Sequence, residues 1–202
     1  MATRNDDRRQ RILDAAEEHF AESGFDATPT ARVAQSAGVP KGLVFYYFPR
    51  KVDLLLALLD ERLPGPGDVD LAAVVRRGDP ARSLVHLHRR LGLETHESLV
   101  LRAIIFRESG THAEVRRHLR GLRTALVELT EQVLDQAVVG RLEASLRRQA
   151  ADTFVAVMLD HANARRVGSA LPDLRGAAEV VALAVGRGVT SRSPTDAASL
   201  QG

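Results

Sequence analysis

Residues 28–48, TPTARVAQSAGVPKGLVFYYF, place two short helical segments on either side of one glycine, and this arrangement constrains the fold more than any other stretch. Thr28 followed by Pro29 predicts an N-cap and a first helical position, with the helix running through Val33 and Ala34 to Ser36. Ala37-Gly38-Val39 then breaks it, because glycine takes the positive φ that a tight turn between helices needs. Pro40 starts a second helix that ends near Tyr47, before Pro49. Two helices joined by so short a turn form a helix-turn-helix, and its second helix is small enough to enter the major groove of DNA. A helix of about seven residues is not stable alone, so large side chains must clamp it to the domain. That explains the aromatics gathered here, in a chain with only six phenylalanines and two tyrosines. Val44 and Phe48 lie four apart and suit the inward role, while Phe45, Tyr46 and Tyr47 straddle the rim between core and DNA backbone.

Lys41 and Gly42 stand at the exposed start of this recognition helix. A long cation there reaches guanine acceptors, and a missing side chain permits close approach. Lys51 opens the next helix, where a cation and free backbone N–H groups both suit a phosphate. Thr28, Thr30 and Leu43 complete the expected DNA-facing set. A net charge of +2 is too small to make the whole chain a polyanion binder, so charge matters locally. Residues 27–52 contain Arg32, Lys41, Arg50 and Lys51 and no acid, whereas residues 1–26 carry seven acids against four arginines. Those arginines, Arg4, Arg8, Arg9 and Arg11, read equally as a minor-groove arm or as a solvated one, with Asp6 and Asp7 interleaved.

Elsewhere the pattern is helical throughout. Ile12, Leu13, Ala16 and Phe20 predict an amphipathic helix over 5–23, stopped by Gly24. RKVDLLLALLDERL predicts a fourth helix, and PGPG at 64–67 is the strongest break and the expected domain boundary. Further helices are expected over 68–92, interrupted at 78–80, and over 94–109, 112–137, 143–168 and 174–187, with no strand-like alternation. The expectation is therefore an all-α chain of about nine helices. A three-helix DNA-binding domain occupies 1–62, a helical effector-binding and dimerisation domain 68–190, and a polar, unpatterned tail 191–202. No apolar run is long enough to span a bilayer, and the N-terminus lacks the apolar segment of a signal peptide, so a cytoplasmic protein is expected. The absence of cysteine excludes disulfides and thiolate metal sites.

The stretch from Thr28 to Leu56, with RRQRILDAAEEHFAESGFDAT ahead of it, resembles the DNA-binding domain of the tetracycline-repressor (TetR) family of bacterial transcriptional regulators. The matching features are Gly-Phe before the threonine, the Ala-Gly-Val turn, Lys-Gly, Tyr-Tyr-Phe and the lysine that follows. The resemblance implies an all-helical homodimer, with paired N-terminal domains on a palindromic double-stranded operator. It also implies a C-terminal domain that dimerises and binds a small effector, most often in a repressor. IIFRESGTHAEVRRHLRGLR resembles that family's C-terminal domains more loosely. The chain departs from the family pattern at Phe45, where tyrosine is usual, so that Tyr46 or Tyr47 must supply the hydroxyl, and at Pro40, where a small polar cap is usual.

Phe154, Met158 and His161 recur at helical spacing, as a core stripe or as the wall of an effector pocket, and Arg102 and Phe106 raise the same choice. After residue 62 the only aromatics are Phe106 and Phe154, which argues against a stacking cage for a flat cation and for an aliphatic or carboxylate-bearing ligand. His86 and His88 are two apart on a helix, about 200° around it, and share no ligand face, so neither metal nor cofactor is expected. The last two helices, rich in small and aliphatic residues, are the expected dimer surface, with Val181, Ala182 and Val185 at its centre. The alternatives are a small helical hydrolase, for which Asp160 and His161 bring no nucleophile elbow or HExxH motif, and a helix-turn-helix used only for protein contacts.

Overall fold

The computed structural model describes residues 4–62, 66–93, 110–167 and 173–190. Nine α-helices lie among them: α1 (Arg4–Ser23), α2 (Thr30–Ser36), α3 (Lys41–Tyr47), α4 (Lys51–Arg62), α5 (Leu71–Val74), α6 (Pro80–Leu91), α7 (Ala113–Ala137), α8 (Ala144–Val167) and α9 (Leu174–Arg187). The chain divides into two compact units, residues 1–65 with 93–122, and residues 66–92 with 123–202.

In the first unit the period of α1 buries Ile12, Leu13, Ala16 and Phe20 completely, and α4 buries Leu54, Leu55, Leu58 and Leu59. Each of these isoleucine, leucine and phenylalanine side chains contributes about 1.5–3 kcal/mol relative to exposure. Helices α2 and α3 are too short to persist alone and join this cluster through Val33, Ala34, Val44 and Phe48. The first turns of α7 belong here as well, since Val115 is fully buried in the same cluster and Leu119 packs against it. Around the rim Arg62 meets Asp14 and Arg9 meets Glu61, which join α4 to α1. The Arg9 guanidinium, its charged form favoured by the bond to Glu61, also lies 5.3 Å from the centre of the Phe48 ring. Arg8, Arg9 and Arg11 are thus residues of helix α1 rather than of a separate arm.

In the second unit, α9 packs against α8 and α6. Leu84, Leu87 and Leu91 of α6, Phe154, Val155 and Met158 of α8, and Ala178, Val181 and Val185 of α9 are buried. The interruption expected at 78–80 is a turn in which Gly78 takes φ +84°. Its N–H donates to the Ala137 carbonyl at 2.7 Å. Asp79 then caps α6 by accepting from the Arg82 N–H at 2.9 Å. A two-residue antiparallel ladder pairs Arg141 with Thr190 and Leu142 with Val189. No strand was predicted there, because two residues carry no readable period. No helix among the described residues is long and apolar enough to cross a membrane.

Candidate nucleic-acid interface

The turn of the helix-turn-helix is closed by backbone bonds. Gly38, at φ +63°, donates to the Gln35 carbonyl at 3.1 Å, and Val39 to that of Ala34 at 3.0 Å. Any residue with a Cβ is strained at that φ. Behind the turn His19 bonds Ser36 at 2.7 Å, joining α1 to the end of α2. Helix α3 begins at Lys41 with no side-chain cap, since Pro40 offers none, and ends as Phe48 donates its N–H to Val44.

The seven residues of α3 sort cleanly into two faces. Val44 and the following Phe48 are 1% and 4% exposed and clamp the helix inward. Tyr47 is half-buried against the same core. Lys41, Gly42, Phe45 and Tyr46 form the outer face, with Phe45 41% and Tyr46 73% exposed. The two tyrosine rings meet edge to face at 5.3 Å, which orients Tyr46. A Cβ on Gly42 would meet nothing within 4 Å. The space beside this backbone is open. Thr30 and Leu43 are half-buried.

The acid-free run at 27–52 is not a free positive patch. Arg32 lies 3.7 Å from Glu22. Arg50 is held by Asp53 and, at 2.8 Å, by Glu114 of α7, which together keep its guanidinium well above its ordinary pKa. The same contact holds the Asp53 carboxyl below the usual carboxylate range. Among the described residues, Lys41 is the one of the four cations whose charge meets no carboxylate or carbonyl, its Nζ lying 5.7 Å above the Phe45 ring.

Two expected contacts take a different place. Thr28 neither caps α2 nor faces outward: α2 starts after Pro29, and Thr28 is fully buried. Its hydroxyl lies 2.7 Å from the Gly24 carbonyl and 3.1 Å from that of His19, locking the end of α1. Lys51, expected to hold phosphate, folds its ammonium onto the carbonyls of Phe25 and Asp26 and over the Phe25 ring at 4.5 Å. A half-buried ammonium with carbonyls to satisfy it ties the start of α4 to the α1–α2 turn. Lys51→Ala is therefore expected to destabilise the first unit by about 1–3 kcal/mol. Thermal unfolding measures this, and an unchanged melting temperature would remove the structural role.

The remaining expected sites divide differently. Phe154 and Met158 are fully buried core residues of α8, and the half-buried His161 ring meets His88 edge to face at 5.5 Å. Arg102 and Phe106 lie outside the described residues. On α9, Val181 and Val185 are 5% and 0% exposed and face inward, and Ala182 is half-buried. They are not the outer surface of this helix. That surface carries Val180 and Leu183, 66% and 65% exposed. The signal that separates the two sets was present: Ala178, Val181 and Val185 form one stripe at helical spacing.

Comparison with known proteins agrees with this geometry. Residues 12–58 match the family described as bacterial regulatory proteins, tetR family. The uncharacterized HTH-type transcriptional regulator YvkB of Bacillus subtilis (strain 168) is 25% identical over 156 residues, covering 75% of this chain and 79% of that protein. The HTH-type transcriptional repressor KstR of Mycolicibacterium smegmatis is 29% identical over 184 residues, covering 81% of this chain and 88% of that protein. Among solved structures, the SmeT–triclosan complex superposes with a TM-score of 0.67 at 22% identity, over 92% of this chain and 93% of that one. These relatives are regulators rather than enzymes. With a helix-turn-helix clamped as described and this match, residues 12–58 are a DNA-binding domain of the tetR family of bacterial regulatory proteins.

Proposed function

We propose that the protein is a ligand-responsive repressor that binds a palindromic operator as a homodimer and is released by a small molecule. The observation that carries this reading is the outer face of α3, where Lys41, Gly42, Phe45 and Tyr46 stand exposed on a helix clamped from behind. In this reading residues 1–62 serve as the DNA-binding domain and 68–190 as the effector and dimerisation domain. Lys41 reads base edges, the Tyr46 hydroxyl bonds a phosphate, and Gly42 lets the backbone approach the groove. Lys51 acts as a positioning residue behind them. Dimerisation runs through the outer face of α9, which is apolar at Val180 and Leu183. An effector is supported by the fold shared with SmeT, whose structure holds triclosan. The scarcity of aromatics after residue 62 favours an aliphatic or carboxylate-bearing one.

The test is selection of bound fragments from a random duplex pool, followed by titration of the selected site at several salt concentrations. A palindromic site and a salt-dependent affinity are expected, because phosphate neutralisation releases counterions. Recovery of no preferred sequence would overturn the reading.

Two substitutions resolve the roles on α3. Lys41→Ala is expected to cost about 1–3 kcal/mol on the selected site and to relax its preference at the base contacted. Uniform weakening on all sequences would reassign Lys41 to the backbone. Gly42→Ala separates fold from recognition. Its Cβ meets nothing in the protein, and alanine favours a helix over glycine by up to about 1 kcal/mol. The melting temperature should hold or rise while operator affinity falls by about tenfold or more, a loss of about 1.4 kcal/mol. Undiminished binding would mean that the α3 backbone does not approach the groove closely.

A further inference from the structure

A cleft of about 490 Å³ lies between α6 and the start of α9, within the second unit. That volume falls in the range of small-molecule sites. From α6, Arg82, His86 and Arg89 line it at spacing i, i+4 and i+7, which puts them on one face over about 10 Å of helix. Arg175 faces them from α9, and Ala81 and Val85 supply a short apolar floor. The cleft also has two acids, and both are engaged within the protein. Asp79 is the cap of α6, and Glu179 lies 3.4 Å from Arg175. Among the described residues, Arg82 and Arg89 form no ion pair. Arg89 lies in the last turn of α6, where a cation suits the helix dipole, whereas Arg82 near its start gains nothing from it. Two guanidinium groups about two turns apart, each with a planar fork of donors, match a molecule with an anionic group at either end.

We infer that this cleft binds a small molecule with an anionic group at either end, with Arg82 and Arg89 each taking one anionic group and His86 and Arg175 closing the sides. Binding here is a property of the second unit and does not depend on whether the protein binds DNA. Because the arginines are solvent-exposed, the affinity is modest and weakens with salt.

The experiment is calorimetric titration of the full chain, at low ionic strength, with glutarate, with pyrophosphate, and with glutaramide as the uncharged counterpart of glutarate. A saturable event of one ligand per chain is expected for at least one of the two anions, with a Kd between about 10 μM and 1 mM, and no binding of glutaramide. A tighter glutarate assigns the site to dicarboxylates, and a tighter pyrophosphate assigns it to diphosphates. The double variant R82Q/R89Q should bind about tenfold or more weakly while remaining folded, since both side chains are exposed. R117Q, at an exposed arginine of α7 that does not line the cleft, should bind as the parent does. If the double variant does not fold, R175Q alone serves, because it removes one cation and leaves Glu179 to repel the ligand. The inference is overturned if neither anion saturates by about 10 mM, if glutaramide binds equally, or if the cleft variant binds with the parent's affinity.

Discussion

Leu183→Arg is expected to turn the protein into a monomer and to weaken operator binding by about 10²–10⁴-fold, far more than one lost contact is worth. Leu183 is 65% exposed on α9, beside Val180, so the substitution removes little packing within the chain. In the proposed two-fold interface, however, each arginine would meet the apolar surface of its partner and be desolvated without a counter-charge. A palindromic operator presents its half-sites one helical turn apart, about 34–36 Å, and only a dimer holds two recognition helices at that spacing. Sedimentation equilibrium gives the assembly state, and operator titration gives the affinity. A dimer that still binds tightly would show that the outer face of α9 is not the interface.

Val181→Arg is expected to fail in a different way, by unfolding the second unit. Val181 is adjacent in sequence to Val180 but 100° around the helix, and it is only 5% exposed. An arginine there is a buried charge with no partner, at a cost of about 3–5 kcal/mol against a total stability of about 5–15 kcal/mol. In a chain of this size the melting temperature should fall on the order of 10 °C. Thermal unfolding followed by circular dichroism measures it. If Val181→Arg melted within a few degrees of the parent and only dissociated, the inward orientation of this residue would be wrong. The two variants, two positions apart, therefore separate a surface role from a core role.

Much of the first unit was legible before any coordinates. Gly38, Pro40 and Pro49 act through backbone geometry alone, so the turn and the ends of α3 follow from residue type. The spacing of Ile12, Leu13, Ala16 and Phe20 requires α1 to bury one face, and the four-residue interval from Val44 to Phe48 assigns those two side chains to the clamp. The exposed set Lys41, Gly42, Phe45 and Tyr46 is what remains on the opposite side.

What depended on tertiary structure was the partner of each group. The run at 27–52 is acid-free along the chain, yet Glu22, Asp53 and Glu114 come from outside it to neutralise Arg32 and Arg50, the last from 64 residues away. Thr28 sits where a cap belongs in sequence. The end of α1 comes close enough for its carbonyls to take the hydroxyl instead. Lys51 begins a helix, as a phosphate ligand would, but the carbonyls of the α1–α2 turn lie within its reach. On α9 two apolar faces compete, and packing against α8 and α6 selected Val181 and Val185 for the core and left Val180 and Leu183 outside. Local periodicity and backbone sterics belong to the chain itself, so sequence alone determined α1 to α4, the turn and the inward residues of α3. Charge pairing and the choice between two apolar stripes are set by distances across space, and only the folded chain determines those distances.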